Sequence, residues 1–164
     1  YDENTIKLIE KAIEIDPEYF EPRLFQLTYY YDSGDVQKAD SILKQISRNF
    51  NSNKRQKNIV KMYEALLEGN NRAVYRHLKD EYNIAPYNLN TNASMLAVAL
   101  QYVNKPEVVD SVYQVIDTKG SNVESCYYCA NRIYLKVLAK LQLKEYDSVI
   151  HYVSDIYQYE NQEY

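Results

Sequence analysis

The chain has 164 residues, of which 46% are hydrophobic and 26% charged, and its formal net charge is −4. This length and composition are those of one folded domain, and the acidic balance argues against nucleic acid as a partner. Three glycines and four prolines are too few for the turns of an all-β chain, so helices are expected. The longest apolar stretch, residues 93–100, is far shorter than the roughly 20 residues that a membrane span requires.

Four segments share the apolar spacing i, i+3, i+4, i+7, which is typical of a helix with one buried face. The four quartets are Leu24, Leu27, Thr28, Tyr31; Ile59, Met62, Tyr63, Leu66; Met95, Val98, Ala99, Tyr102; and Tyr134, Val137, Leu138, Leu141. A short turn follows each quartet, at Gly34-Asp35, Gly69-Asn70, Lys105-Pro106 and Lys144-Glu145. Subtracting the residue numbers places these turns 35, 36 and 39 residues apart.

A second apolar helix is predicted after each turn. The apolar faces of these helices are Val36, Ala39, Ile42, Leu43, Ile46; Ala73, Val74, Leu78, Tyr82; Val108, Val109, Val112, Val115, Ile116; and Val149, Ile150, Val153, Ile156. The sequence therefore predicts a series of helix–turn–helix pairs. One such pair cannot bury its own apolar face, so neighbouring pairs must stack to form a core.

Several local motifs resemble those of the tetratricopeptide repeat family. Residues 12–17 (AIEIDP) and 84–86 (IAP) resemble the family's repeat endings, and Ala39 stands where the family places a small residue. The best single match runs from Tyr63 through Pro86. The resemblance implies one all-α domain, 1–164, built as a right-handed α-solenoid of antiparallel helix pairs with about four and a half repeats. The expected repeats are residues 1–19 (partial), 20–54, 55–89, 90–124 and 125–164.

The chain departs from the family pattern in two places. It starts at Tyr1 in what reads as the middle of a helical pair, so we expect a fragment or a processed form. A longer linker, residues 117–125, separates the last two repeats. The order of a repeat ending, a basic linker and the segment 63–70 (YEALLEGN) also resembles repeat regions appended to bacterial multidomain regulatory proteins, in which the repeats sense or dock.

The resemblance implies a concave wall lined by the first helix of each pair. Its expected residues lie one position after the core quartets: Phe25, Gln26, Tyr29, Lys57, Val60, Lys61, Glu64, Leu96, Leu100, Arg132, Leu135 and Lys136. Such a wall has an apolar floor and basic rims, which suits a protein or peptide partner with acidic groups. For Leu96, Leu100 and Leu135 the alternative is that they thicken the core between helices.

The segment from Ser41 to Tyr63 contains six basic residues and no acidic one. Because the whole chain carries −4 and this segment +6, the remainder carries −10. A basic surface of this kind can bind phosphate or an acidic protein. The alternative interpretation is a solvated linker and helix face.

Cys126 and Cys129 form the one motif whose side chains could support redox chemistry or metal binding. If Ser125 caps the next helix, Cys126 lies in its first turn, where the helix dipole lowers a thiol pKa. A thiol-redox or metal site is therefore the alternative function, although a redox motif usually follows a strand and structural zinc needs four ligands. The other interpretation is two small apolar residues at a helix start.

No other pattern indicates catalysis or a cofactor, since nucleophile–base, phosphate-loop and paired-carboxylate arrangements are absent. The sequence thus favours a non-enzymatic interaction module. It leaves the oligomeric state and the compartment open, the cytoplasm being favoured and an extracytoplasmic location being allowed for a processed fragment.

Overall fold

A computed structural model describes residues 3–49, 52–116 and 126–160, and every regular element in those ranges is a helix. This confirms the predicted all-α class. The elements are α1 Glu3–Ile15, α2 Phe20–Asp32, α3 Val36–Asn49, α4 Lys54–Leu67, α5 Asn71–Ile84, α6 Leu89–Ala97, a π-helical turn Val98–Tyr102, α7 Pro106–Tyr113, α8 Tyr127–Gln142 and α9 Tyr146–Glu160. The predicted linker at 117–125, with Ser125, lies outside the described residues. Within them, no helix combines the length and apolar character needed to cross a membrane.

Local side chains define where two of these helices begin. Asn53 caps α4 in a reciprocal arrangement: its side chain accepts from the Gln56 backbone N–H, and the Gln56 side chain accepts from the Asn53 N–H, both at 3.0 Å. Asn88 caps α6 by accepting from the Thr91 N–H at 2.9 Å. Both caps satisfy backbone donors that the first helical turn cannot pair internally.

Three of the predicted turns share one backbone arrangement. Each contains a residue with positive φ after the helix ends, namely Gly34 (79°), Gly69 (69°) and Lys144 (61°). In each, the next N–H reaches back five residues: Asp35 to the Tyr30 carbonyl, Asn70 to that of Ala65, and Glu145 to that of Lys140, at 2.8–3.0 Å. This is the closure of a Schellman motif, which satisfies helix-end carbonyls. The repeated turn confirms the predicted helix boundaries there.

The turn before α7 differs by one residue. Asn104 has the positive φ (50°), but the Lys105 N–H reaches back six residues to the Ala99 carbonyl, at 2.7 Å. The extra residue belongs to the π-helical turn Val98–Tyr102, which the apolar spacing did not predict. Pro106 then begins α7, where its fixed φ and missing N–H are tolerated.

The Lys144 turn makes a stability prediction, because a left-handed conformation is costly for a residue with a Cβ. We expect Lys144→Gly to raise the free energy of unfolding by about 1 kcal/mol in urea denaturation. Lys79→Gly, at an exposed position within α5, should lower it by about the same amount. The role assigned to this turn would be contradicted if Lys144→Gly failed to raise the free energy of unfolding, or if it lowered it as Lys79→Gly is expected to do.

Helix contacts divide the chain into two compact units, residues 1–70 and 71–164. The boundary falls inside the predicted repeat 55–89, whose helices α4 and α5 belong to different units. In the first unit, α3 contacts both α2 and α4. Its core consists of Phe20, Leu27, Ala39, Ile42, Leu43, Ile46 and Val60.

Two tyrosines and a threonine join α2 to α4 beside this core. Thr28 Oγ1 and the Tyr63 hydroxyl lie 2.6 Å apart, and the rings of Tyr31 and Tyr63 meet edge to face at 6.1 Å. Thr28, Tyr31 and Tyr63 were all predicted core positions. The spacing therefore identified the inward faces of α2 and α4 in this unit.

Ala39 is completely buried where α3 packs in the first unit. Because extra methylene groups overpack a buried core position, we expect Ala39→Leu to lower the free energy of unfolding by about 1–3 kcal/mol. Gln37→Leu, at an exposed position on the same helix, is the matched control and should change it by less than about 0.5 kcal/mol. Equal urea midpoints for the two variants would mean that α3 does not pack at Ala39.

In the second unit, α6 contacts α5, α7 and α8. Its buried apolar side chains are Val74, Leu78, Ala93, Met95, Leu96, Val98, Ala99, Leu100, Val109, Val112, Cys129, Leu135 and Ala139. The predicted face of α8 is wrong at Tyr134 and Leu141, which are 58% and 41% exposed, whereas Val137 and Leu138 are partly buried. The buried face of α8 instead contains Arg132, Leu135, Lys136, Ala139 and Lys140, so a largely cationic stripe faces inward.

Three further predicted core residues are exposed in the structure: Val36, Tyr102 and Ile150. Val36 is the first residue of α3 and Tyr102 ends the π-helical turn, so both lie where the helix face meets solvent. The predicted core residue Ile156 lies in α9, in a stretch whose side chains are outside the described part of the chain.

Candidate functional site

The predicted wall residues of α2 lie at the surface. The Phe25 ring is 50% exposed, and Tyr29 and Gln26 are partly buried. The Tyr29 ring meets that of Tyr30 edge to face at 5.2 Å. A phenyl ring left half in water on a rigid helix is available to a partner.

Gln26 belongs to a shallow concavity of about 250 Å³ beside α2 and α3. Its lining consists of Arg23, Gln26, Tyr30, Lys38, Ser41, Ile42 and Gln45. The Gln26 Oε1 atom is buried and has no hydrogen-bond donor among the described residues. Lys38 lies 4.8 Å from the centre of the Tyr30 ring, and its hydrogen bond with Asp35 raises its pKa. Cationic and amide donors in one concavity suit carboxylate and backbone carbonyl oxygens.

The predicted wall residues of α4 divide between core and surface. Val60 is buried in the first-unit core, whereas Lys57, Lys61 and Glu64 are exposed. These three share one face, since they are separated by four and three residues. The Ser47 hydroxyl donates to Glu64 Oε1 at 3.3 Å, so this face of α4 lies beside α3.

The Ser47–Glu64 hydrogen bond brings together basic residues of α3 and α4. We call Lys44, Arg48, Lys57 and Lys61 the α3–α4 basic surface. Lys44 and Arg48 lie three residues before and one after Ser47 on α3, and all four side chains are exposed. Lys44 is paired with Asp40 at 2.6 Å. Tyr63, one residue before Glu64, contacts α2 instead. The basic surface therefore adjoins α3.

In the second unit, the predicted wall residues are buried. Leu96, Leu100 and Leu135 belong to the core, as the alternative interpretation had it, and Arg132 and Lys136 are 0% and 2% exposed. The prediction that these five side chains line an open wall is corrected by their burial. The physical reason is that polar groups of α6 and α7 satisfy the two cations inside the unit.

Arg132 joins three segments through its guanidinium group. Its Nε donates to Asn92 Oδ1 at 2.8 Å, and its Nη2 donates to the carbonyls of Tyr113 and Ile116 at 2.6 and 3.0 Å. The Asn92 amide donates onward to the Val112 carbonyl at 2.9 Å. Arg132 thus holds α8 against α6 and against carbonyls at the end of α7, and burial lowers its pKa.

A second part of this cluster consists of two lysines and two carboxylates. Lys136 and Lys140 both donate to Asp110 on α7, and Lys140 also donates to Glu145. The Lys136 ammonium lies 5.3 and 5.6 Å from the ring centres of Tyr113 and Tyr152. Burial lowers the pKa of Lys136 to about 8, with the charge of Lys140 adding to this and that of Glu145 opposing it.

Sequence reasoning missed Asn92, Asp110, Lys140 and Glu145 as partners in this cluster. The available signal was the spacing of Arg132, Lys136 and Lys140, which places three cations along one helix face at intervals of four residues. Nothing in the sequence near α8 indicates which distant carboxylate and amide satisfy them. The three cations are buried and paired within the unit, so they are not open to a peptide, whereas the Asp110 and Glu145 side chains are 34% and 43% exposed.

Cys126 and Cys129 form a disulfide bond. Cys126 is the N-cap of α8, one residue later than the predicted cap Ser125, and its Sγ accepts from the Cys129 N–H at 3.3 Å. The two cysteines are therefore bonded to each other, which corrects the interpretation as two small apolar residues at a helix start, while a thiol-redox site stays a prediction. In the part of the chain that the structure describes, no three His, Cys, Asp or Glu side chains are grouped to hold a metal ion.

No protein-family profile, curated protein or solved structure matches the chain. The structure defines its class as an all-α protein of short helices joined by recurrent tight turns.

Proposed function

We propose that the chain is a tetratricopeptide-like interaction module whose first unit binds an acidic segment of a partner protein. The observation that carries the proposal concerns α2. This helix bears the half-exposed ring of Phe25, and it also contributes Arg23 and Gln26 to a concavity that Lys38 of α3 completes. In this proposal the helix pairs stack as a right-handed solenoid, which the recurrence of one closing turn supports.

Each element of this surface has a distinct physical role in the proposal. The Phe25 ring supplies apolar area at low conformational cost and anchors the partner. Gln26 contributes its side-chain amide to the lining of the concavity. Arg23 and Lys38 pair with carboxylates of the partner.

The α3–α4 basic surface supports the choice of an acidic partner. Exposed charges at the edge of an interface contribute mainly to steering and orientation, and their effect weakens with added salt. In this proposal the module is the docking part of a larger regulatory protein and has no catalytic role of its own.

Selection of displayed random peptides on the intact chain tests the proposal. We expect enrichment of peptides that combine acidic residues with an aromatic or aliphatic anchor, because the surface offers cations beside an exposed ring. A lack of acidic residues among the selected peptides would contradict it.

Phe25→Ala should weaken binding of a selected peptide by about 2 kcal/mol, which is roughly a thirtyfold rise in Kd. Tyr87→Ala is the matched control, since Tyr87 is an exposed aromatic residue of the second unit. Isothermal titration with both variants, alongside their thermal unfolding, separates affinity from stability. Equal losses of affinity in the two variants would show that Phe25 is not the anchor.

A further inference from the structure

The Cys126–Cys129 disulfide closes a loop with only two residues between its cysteines. A short loop loses little conformational freedom in the unfolded chain when it is cross-linked, so this bond adds little stability by that route. The fold also has another device that holds α8 in place, because Arg132 bonds to Asn92 and to two carbonyls near the end of α7. Stabilisation alone therefore gives a weak reason for the bond.

The two sulfurs differ in their surroundings. Cys129 lies in the first turn of α8 and is 3% exposed, whereas Cys126 precedes the helix and is partly exposed. Tyr127 and Tyr128, between them, are both exposed, so the segment lies at the protein surface. A thiolate from another protein therefore reaches Cys126 Sγ more readily than Cys129 Sγ.

We propose that Cys126–Cys129 is a reversible redox site that exchanges with a dithiol of a partner protein, and that Cys126 is the sulfur attacked. In the first step the partner's thiolate forms a bond to Cys126 Sγ, the Cys126–Cys129 bond breaks, and Cys129 leaves as a thiolate that takes up a proton. In the second step the partner's other thiolate attacks the partner sulfur that is bonded to Cys126, the bond between that sulfur and Cys126 Sγ breaks, and Cys126 leaves as a thiolate that takes up the second proton. The partner dithiol becomes a disulfide, and two electrons and two protons reach this chain.

Both leaving sulfurs lie where negative charge is favoured. The N-terminal end of a helix carries a partial positive charge, and Cys126 and Cys129 both lie at that end of α8. The Cys129 N–H already donates to Cys126 Sγ, and this hydrogen bond strengthens when the sulfur becomes a thiolate. These features lower a thiol pKa, which makes the sulfur a better leaving group.

The test uses the full chain with its disulfide formed, in native buffer, with dithiothreitol as the dithiol and alkylation followed by mass spectrometry as the readout. We expect two alkylated cysteines without loss of helical circular dichroism, and reversal on addition of glutathione disulfide. Reduction that requires denaturant, or a reduced pair that glutathione disulfide fails to reoxidise in the folded chain, would overturn the proposal.

Single-cysteine variants test which sulfur is attacked. Cys129→Ser leaves Cys126, which should react with an aromatic disulfide reagent about tenfold faster than the Cys129 left by Cys126→Ser. Equal rates, or a faster Cys129, would overturn the assignment of Cys126. If a variant fails to fold, partial reduction of the unmodified chain with glutathione decides the question. Peptide mapping should then place the mixed disulfide on Cys126, and glutathione on Cys129 would overturn the assignment.

Discussion

Replacing Arg132 with Met is expected to lower the free energy of unfolding by about 3–5 kcal/mol. The guanidinium group is fully buried and donates to Asn92 Oδ1 and to the carbonyls of Tyr113 and Ile116. Methionine fills part of the same volume and supplies none of these donors, so the buried Asn92 Oδ1 and two partly buried carbonyls lose their donor. Urea denaturation followed by circular dichroism measures the loss.

Two further variants separate the hydrogen bonds from charge and volume. Arg76→Met, at an exposed position on α5, should change the free energy of unfolding by less than about 0.5 kcal/mol. Arg132→Lys keeps the positive charge without the planar fork of donors, so its loss should fall between those of the two methionine variants. A loss for Arg132→Met no larger than that for Arg76→Met would contradict the role of the guanidinium bonds.

Lys136 is expected to make the protein more stable as the pH rises from about 8 to 10.5. Burial lowers its pKa from 10.5 to about 8. In this window the unfolded chain therefore binds a proton at this position that the folded chain has released, and the free energy of unfolding rises with pH. Taken alone, a shift of this size corresponds to about 3 kcal/mol across the window.

The Lys136→Met variant isolates this contribution from other titrating groups. Asp110, Lys140, Glu145, Tyr113 and Tyr152 face or adjoin the amine, and the chain has 19 tyrosines that ionise at high pH. The useful quantity is therefore the difference between the free energies of unfolding of Lys136→Met and Lys79→Met at each pH. Lys79 is exposed on α5 and serves as the control.

In Lys136→Met, the part of the rise in the free energy of unfolding with pH that is due to Lys136 should be lost. In Lys79→Met that part should be kept. At pH 7 the Lys136→Met protein should be no less stable than the unmodified chain, because a buried charge is removed while Asp110 keeps Lys140. Urea midpoints at intervals of pH measure both effects. Parallel pH profiles for the two variants would mean that Lys136 does not titrate in this window.

The first unit shows which predictions local physics supports. Gly34 and Gly69 have the positive φ that favours glycine, so both turns could be located from residue type alone. Ala39, Ile42, Leu43 and Ile46 are buried because their spacing places them on one side of α3. In these segments the residue type, the turn and the burial agree.

The second unit shows where apolar spacing misleads. On α8 an apolar stripe containing Tyr134 and Leu141 satisfied the helical pattern, and an adjacent stripe contained Arg132 and Lys136. Hydrophobicity assigns the first stripe to the core, because burying unpaired charges is costly. That cost is offset by distant partners, among them Asn92 and Asp110, which lie 40 and 26 residues before Arg132 and Lys136. The apolar spacing along α8 contains no information about hydrogen bonds and ion pairs made with residues so distant in the sequence.

The sequence by itself determined the helical class, the positions of the turns and the buried face of α3, because propensity, side-chain spacing and glycine conformation act within a few residues. Only the tertiary structure decided which side of α8 is buried, that residues 98–102 form a π-helical turn, and that Cys126 bonds to Cys129. It also placed Lys57 and Lys61 beside α3, through the contact of Glu64 with Ser47. These features depend on which side chains meet in three dimensions, and burial free energy is set by such partners more than by the hydrophobicity of any one residue.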